Sequence, residues 1–192
     1  MSLNNLTALS NSKDWNQKWE GIFDNYQQDL RHAHYIRAVL EPDEKKLLEI
    51  GAGSFRDMSE LRRHGLECEG MDFSEEAVQR AKQRFPEFSN AIYHMSAFDL
   101  AFPDKSFDVS YHNGFWVLFD DEQIKKLIAE QARITKNRII ATVHNAHNQQ
   151  FIEYFDKLKT DDPLYDIRFF EMGEMIELMS DFCSSIDIIP VG

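Results

Sequence analysis

Two kinds of hydrophobic pattern alternate along the chain. Apolar residues recur at the spacing of one helix face in residues 15–26, 32–40, 57–63, 75–85, 121–134, 151–158 and 173–182. Short apolar runs, which are typical of buried strands, occupy residues 47–50, 66–72, 91–95, 106–111, 138–143 and 185–191. The pattern therefore predicts strands and helices in alternation.

Alternating strands and helices favour a parallel sheet with helices on both faces. We therefore expect an α/β fold with a Rossmann-like, doubly wound and mostly parallel sheet in a three-layer α/β/α arrangement. In such folds a ligand binds beyond the carboxyl ends of the strands, near the point where strand order reverses. The first candidates for a site are thus the residues after each strand, namely 51–54, 72–73, 96–98, 112–115 and 144–147.

The most informative segment is the turn after the first predicted strand, where Gly51 and Gly53 flank Ala52. Glycines at this spacing let the backbone turn tightly and approach a ligand closely. Asp72 follows at roughly the 20-residue spacing at which a carboxylate accepts hydrogen bonds from ribose hydroxyls. The alternative role for Asp72 is to cap the next helix, although Ser74 already supplies a good cap.

The surroundings of this turn favour one class of nucleotide ligand over another. A dinucleotide fingerprint, G-x-G-x-x-G, would need a glycine where Arg56 stands. Glu49 would also repel a pyrophosphate, whereas it suits a ligand with a positive amino group. Adenosine with a cationic amino-acid tail, as in S-adenosylmethionine, satisfies both conditions.

The order of these motifs resembles that of the class I S-adenosylmethionine-dependent methyltransferases, most closely the small methyltransferase-domain proteins of the type 11 kind. Glu49, Gly51 and Gly53 match the first family motif, acidic-x-Gly-x-Gly-x-Gly, but Phe55 replaces its third glycine. We expect Phe55 to narrow the cofactor pocket. The second motif, Gly-x-Asp-x-Ser, is matched by residues 70–74 and implies that its aspartate holds the ribose.

The resemblance continues through the middle of the chain. Ser96 replaces the acid that often receives the adenine amino group in the family, so adenine recognition should rely on the backbone at Ala97 and Phe98. Asn113 and Gly114 look like the segment that passes beside the methionine part. The cofactor-binding residues that the resemblance implies are Glu49, Gly51, Ala52, Gly53, Asp72, Phe73, Ser96, Ala97, Phe98, Asn113 and Gly114.

A base is needed only where the methyl acceptor must lose a proton. His112 and His144 follow the fourth and fifth predicted strands, so both should lie at the ligand edge. Imidazole titrates near pH ~6.5, which suits a base at neutral pH. Each histidine has the alternative of being a polar loop residue without a catalytic role, so the catalytic residues stay unassigned.

The two ends of the chain leave alternatives open. Aromatic residues within 15–26 would suit a lid over a cationic cofactor, or they pack in the core, as such stripes more often do. We expect one domain over residues 1–192, with a helical lid in 1–42 and a cofactor-binding core in 43–192. At the other end, the sheet either lacks an edge strand or gains one from residues 165–170.

Composition and charge narrow the set of partners. The chain of 192 residues has a formal net charge of −12, which disfavours nucleic acid and anionic membranes. Its two cysteines, Cys68 and Cys183, lack the spacing of a disulfide framework or a zinc site, so no metal is expected. With no visible secretory signal or membrane span, we expect a cytoplasmic protein of undefined oligomeric state.

The expected function is an S-adenosylmethionine-dependent methyltransferase that acts on a small-molecule acceptor and releases S-adenosylhomocysteine. Two alternatives stay open. The first is a module that binds the cofactor without efficient transfer, favoured by Phe55 and the short C-terminal part. The second is a nicotinamide-dependent oxidoreductase, which Glu49 and Arg56 disfavour.

Overall fold

The computed structural model describes residues 12–162 and 165–191. Helices and strands alternate through this part of the chain. The helices are α1 (Ser12–Ile22), α2 (Arg31–Val39), α3 (Arg56–Arg63), α4 (Glu75–Arg84), α5 (Asp121–Ile134), α6 (Gln149–Asp161) and α7 (Met172–Met179). The strands are β1 (Lys46–Ile50), β2 (Glu67–Asp72), β3 (Ile92–His94), β4 (Phe107–Asn113) and β5 (Thr135–Thr142). Short 3-10 helices cover Asn25–Gln27, Pro86–Ala91 and Trp116–Leu118.

The strands form one parallel sheet of five strands in the order β3-β2-β1-β4-β5. Leu47 of β1 pairs with Cys68 of β2 on one side and with Val109 of β4 on the other. Strand order therefore reverses at β1 and β4, and a crevice is expected at the carboxyl ends of these two strands. This topology confirms the doubly wound α/β fold.

Helices cover both faces of the sheet. Leu47 points into a core cluster that includes Ile36 of α2 and Met58 of α3. Its neighbour Leu48 points into a second cluster, which includes Leu127 of α5 and residues of α7. The three layers are therefore α/β/α, as the sequence predicts. No helix in the described part of the chain has the length and apolar character needed to cross a bilayer.

The prediction of a last strand at residues 185–191 is wrong. Within the described chain this segment has no strand conformation, and Ile188 and Ile189 are exposed. Pro190 has no backbone N–H and would interrupt a ladder of hydrogen bonds at that position. The alternation of apolar residues in this segment therefore does not produce sheet pairing.

Residues 165–170 do not form an additional strand either. Phe170 makes an isolated parallel bridge with Asn145, beyond the end of β5. In this bridge the Phe170 N–H donates to the carbonyl of His144 (2.8 Å). Of the two alternatives for this end of the chain, the described residues therefore support a sheet that ends at β5.

Polar side chains of α5 hold the loop between β3 and β4. Glu130 accepts a hydrogen bond from the Leu100 N–H (3.0 Å), and Arg133 donates to the carbonyls of Leu100 (2.7 Å) and Phe102 (2.8 Å). The Arg133 guanidinium also lowers the pKa of the Glu130 carboxyl. These contacts fix the loop that begins with residues 96–98, which are candidates for adenine binding.

Candidate active site

A cavity of about 540 Å³ opens at the carboxyl ends of β1, β2 and β4. Its volume is within the range of sites that hold small organic ligands and cofactors. All residues that the sequence assigns to cofactor binding lie in the cavity wall, although they come from separate strands and loops. These residues are Glu49, Gly51, Ala52, Gly53, Asp72, Phe73, Ser96, Ala97, Phe98, Asn113 and Gly114.

The turn between β1 and α3 requires both of its glycines. Gly51 and Gly53 have positive φ angles of 61° and 55°, which glycine adopts without the strain that a side chain brings. A Cβ atom on Gly51 would lie 2.5 Å from the ring of Phe115, and one on Gly53 would lie 2.1 Å from the indole of Trp19. Aromatic rings therefore pack directly against the backbone of this turn.

Phe55 adopts the left-handed conformation (φ 54°) although it carries a side chain. The side chain is fully buried and shares a core cluster with Met58. Its ring lies beside Gly70 of β2, where an added Cβ would come within 2.9 Å of it. Phe55 does not line the cavity. The expectation that it narrows the pocket is wrong, because its ring turns into the core.

Asp72, at the end of β2, uses both carboxylate oxygens to fix the surrounding backbone. Its Oδ2 accepts from the Gly53 N–H (2.7 Å), and its Oδ1 accepts from the Ser74 N–H (2.8 Å). Ser74 itself caps α4 by accepting from the Ala77 N–H (3.2 Å). Burial raises the pKa of Asp72 in spite of these hydrogen bonds. Asp72 thus joins the glycine turn to the second strand.

Glu49 is a buried acid in the floor of the cavity. Its Oε2 accepts a hydrogen bond from the Met58 N–H (2.8 Å). Burial and the neighbouring charge of Asp57 raise the pKa of Glu49 well above its usual range. A positive group in the cavity would favour the ionised form of this carboxyl and lower that pKa.

The segment after β3 forms another side of the wall. The Ser96 hydroxyl accepts a hydrogen bond from the Phe98 N–H (3.2 Å), so this backbone donor already has a partner. The Phe98 ring is 40% exposed and meets Phe119 edge to face, with ring centroids 5.6 Å apart. If the backbone of Ala97 and Phe98 recognises adenine, it therefore does so through its carbonyl oxygens and its other N–H group.

The aromatic stripe of the N-terminal segment is divided between the cavity and the core. Trp19 and Tyr26 line the cavity, whereas Phe23 is buried in the core cluster of α2 and α3. An ion pair between Lys18 and Asp162 joins α1 to the end of α6. Part of the stripe therefore faces the cavity and part packs in the core.

His112 does not lie at the ligand edge, which corrects the sequence-based expectation. β4 extends to Asn113, so His112 is still inside the sheet, fully buried and outside the cavity wall. Its ring packs on Trp116, with centroids 4.5 Å apart, and neither ring nitrogen has a hydrogen-bond partner. Burial, with a smaller effect of His32, lowers the pKa of His112 to about 3. It therefore has no access to a substrate in the cavity.

His144 lies in the cavity wall. Phe151, Phe155 and Phe169 surround its ring, with centroids 4.9, 5.1 and 5.6 Å away. Its Nε2 would be 3.7 Å from a Cβ atom on Gly114, so this nitrogen faces the cavity edge of β4. Burial lowers the pKa of His144 to about 4, and the imidazole is therefore neutral at pH 7.

Part of the wall carries no recognisable motif. Its apolar side chains come from the segment after β4 and from the C-terminal part, and comprise Val117, Leu118, Phe119, Phe155 and Ile167. The only sequence signal for them is apolar spacing, which does not distinguish a cavity wall from a core. Among the residues that the structure describes, no cluster of histidine, cysteine and acidic side chains could hold a metal ion.

Comparison with known sequences identifies the family of the segment that contains the glycine turn. Residues 48–140, which hold the glycine turn and Asp72, match the family described as methyltransferase domain. This match places residues 48–140 in the class I S-adenosylmethionine-dependent methyltransferase family. The family thus agrees with the resemblance that the motifs show.

A curated relative of this methyltransferase-family chain is the demethylmenaquinone methyltransferase of Tropheryma whipplei (strain Twist). It is 28% identical over 135 residues, which are 67% of this chain and 55% of that protein. The chain thus spans about half the length of the curated relatives it matches.

Solved structures share the fold of this family member. A Thermotoga maritima protein, described as a possible histamine N-methyltransferase, is 23% identical with a TM-score of 0.65 over 86% of this chain and 75% of that one. Geranyl diphosphate C-methyltransferase from Streptomyces coelicolor A3(2) is 18% identical with a TM-score of 0.61 over 79% of this chain and 59% of that one. At these identities the likeness establishes the fold alone.

The residues of the cavity fit S-adenosylmethionine, the cofactor of this family. Each oxygen of Asp72 accepts one backbone hydrogen bond, which leaves acceptor capacity for the two hydroxyls of a ribose. Burial and the charge of Asp57 together outweigh the effect of Arg56 on Glu49, so the pKa of this acid stays raised. The cationic amino-acid part of the cofactor would supply a further positive group.

Proposed function

We propose that this chain transfers a methyl group from S-adenosylmethionine to a small, uncharged acceptor. The observation that carries the proposal is the meeting of all motif residues on one cavity whose remaining wall is mainly apolar and aromatic. Demethylmenaquinone, which the name of a curated relative gives as its substrate, is also a small uncharged molecule. Geranyl diphosphate, the substrate in the name of a protein with the same fold, is small as well, although its diphosphate is charged. We further propose that residues 43–192 form the cofactor-binding core and residues 1–42 cover it, a division whose residues 1–11, 163–164 and 192 lie outside the described part of the chain.

In this proposal Asp72 holds the ribose, the glycine turn and Glu49 hold the amino-acid part, and residues 96–98 hold the adenine. The cofactor would supply the chemistry, a methyl group on a sulfonium sulfur; the acceptor provides the electron pair of the new bond, and the pair of the broken carbon–sulfur bond stays on sulfur. The protein aligns the acceptor with that methyl group and excludes water. Phe115 and Trp19, which pack on the turn, contribute to that exclusion.

We assign to His144 the role of contacting the methyl acceptor. Its low pKa makes it a weak base, but a neutral imidazole still accepts a hydrogen bond from an O–H or N–H group. The O–H proton of a hydroxyl acceptor becomes more acidic as its oxygen bonds the methyl carbon, so that proton can pass to this imidazole. We therefore propose that His144 orients the nucleophile and removes its proton as the new bond forms.

Calorimetry with S-adenosylhomocysteine and with NADH tests the cofactor assignment. We expect S-adenosylhomocysteine to bind at one site per chain and NADH to bind much more weakly or not at all. Preference for NADH would refute the proposal in favour of an oxidoreductase. Phe55 no longer supports a module without transfer, because its ring does not obstruct the cavity.

Transfer is tested with S-adenosylmethionine labelled in its methyl group and a panel of small phenols, alcohols and amines. His144→Ala should reduce turnover of a hydroxyl acceptor by roughly 100-fold or more, the usual contribution of a positioned acid or base. His147→Ala is the control, since His147 pairs with Glu171 (2.7 Å) outside the cavity. Cofactor binding without product from any acceptor would favour the binding module.

A further inference from the structure

Asp57 is a buried carboxylate in the cavity wall that no sequence motif assigns. It lies in the first turn of α3 and is 2% exposed. Its Oδ2 is 2.9 Å from Nδ1 of His32, but its Oδ1 has no hydrogen-bond partner. A buried carboxylate oxygen without a donor is costly, so this atom requires an explanation.

His32 fixes the orientation of Asp57 through Oδ2, the carboxylate oxygen that is not free. A carboxylate only accepts hydrogen bonds, so Nδ1 of His32 is the donor in this contact. The other ring nitrogen of His32 is 2.9 Å from the hydroxyl of Thr142, at the end of β5. His32 is thus held at both nitrogens, and it holds one oxygen of Asp57.

An acid and an arginine lie near the free oxygen. Glu49 is close enough for the charge of Asp57 to raise its pKa. The cation near Asp57 is Arg56, whose Nε is 3.6 Å from Oδ1, which is longer than a hydrogen bond. Another nitrogen of Arg56 is engaged by the carbonyl of Tyr26 (2.7 Å). Among the described residues, Oδ1 of Asp57 therefore has no hydrogen-bond donor, although an arginine lies nearby.

We propose that Asp57 accepts a hydrogen bond from the ammonium group of the cofactor's methionine part, as a second carboxylate beside Glu49. The proposal rests on the proposed function, since it presupposes that the cavity binds S-adenosylmethionine. An ammonium group has three N–H donors and therefore needs more than one acceptor. One oxygen of Glu49 already accepts from the Met58 N–H, which leaves a role for a further acceptor.

The test compares ligands that differ in this ammonium group, with binding measured by calorimetry. S-adenosylhomocysteine carries the group, its des-amino analogue has hydrogen in its place, and 5′-methylthioadenosine lacks the whole amino-acid part. Asp57→Asn keeps the shape of the side chain and removes its charge. Asp99→Asn is the control, since Asp99 is exposed and outside the cavity wall.

In Asp57→Asn, the affinity for S-adenosylhomocysteine should fall roughly 10-fold or more, as expected for a hydrogen bond between charged groups. Affinity for the des-amino analogue and for 5′-methylthioadenosine should stay within about 3-fold, and Asp99→Asn should leave all three unchanged. Asp57→Ser, which also lacks the charge, should reproduce this selective loss if Asp57→Asn folds poorly.

Two results would overturn the role of Asp57. One is an unchanged affinity for S-adenosylhomocysteine in the folded variants, and the other is an equal loss for all three ligands, which indicates a structural role only. Failure of the proposed function itself gives a different pattern, because the wild-type protein would then bind none of the three ligands.

Discussion

The buried imidazole of His112 should make the fold sensitive to acid. His112 is fully buried, neither of its ring nitrogens has a hydrogen-bond partner, and its pKa is lowered to about 3. In the unfolded chain the same side chain has a pKa of about 6.5. Between these two values the unfolded state binds a proton that the folded state excludes, so stability falls as the pH drops below about 6.5.

The size of this effect follows from the two pKa values. Each pH unit between them costs about 1.36 kcal/mol of unfolding free energy for one proton. Lowering the pH from 7.5 to 5 should therefore remove about 2 kcal/mol through His112. This is a large fraction of the stability of a typical domain, which is roughly 5–15 kcal/mol.

Urea denaturation of wild-type protein and His112→Leu at several pH values measures the effect. His144 titrates in both proteins, so its contribution cancels in the difference between them. Between pH 7.5 and pH 5, the unfolding free energy of His112→Leu should rise by about 2 kcal/mol relative to that of wild type. This holds whatever the difference in stability between the two proteins at pH 7.5. His34→Gln, a change at an exposed histidine, should run parallel to wild type. A parallel profile for His112→Leu would refute the neutral, buried state of this imidazole.

Further predictions concern the turn and its support. Gly51→Val should abolish S-adenosylhomocysteine binding in calorimetry, since its Cβ would overlap the Phe115 ring at 2.5 Å; retained affinity would contradict this geometry. Phe55→Ala should cost about 3–5 kcal/mol in urea denaturation through the lost ring. Phe55→Gly should be about 1 kcal/mol more stable than Phe55→Ala, since glycine tolerates the left-handed backbone, and the reverse order would exclude that conformation. Asp72→Ala should weaken S-adenosylhomocysteine binding by ~1.5–3 kcal/mol, with unchanged affinity counting against its ribose role.

The parts of the fold and site that the sequence predicts are those determined by local pattern. The short apolar run of β1, the glycines after it and the carboxylate of Asp72 lie where the spacing places them. Their geometry is local because positive φ at Gly51 and Gly53 follows from the turn itself. Such features need no knowledge of the neighbouring strands.

The errors arise where a side chain's environment depends on distant residues. Phe55 turns into the core because Gly70 on the adjacent strand leaves room for its ring, and nothing near Phe55 in the sequence shows this. His112 is inside the sheet because β4 continues to Asn113, two positions beyond the apolar run. Asp57 has no motif, and its partner His32 comes from a different helix.

The position of the tryptophans gives the cavity its own optical reporter. The chain has three tryptophans, of which Trp15 and Trp19 line the cavity and Trp116 is fully buried outside it. A ligand that enters should alter the emission of the first two indoles, while Trp116 provides a constant background. With Trp19 replaced by phenylalanine, the part of the response to S-adenosylhomocysteine that comes from this indole should be lost, while that of Trp15 remains. Ligand binding can therefore be followed by tryptophan emission without an attached dye. In a stopped-flow instrument, binding steps slower than the dead time can be resolved.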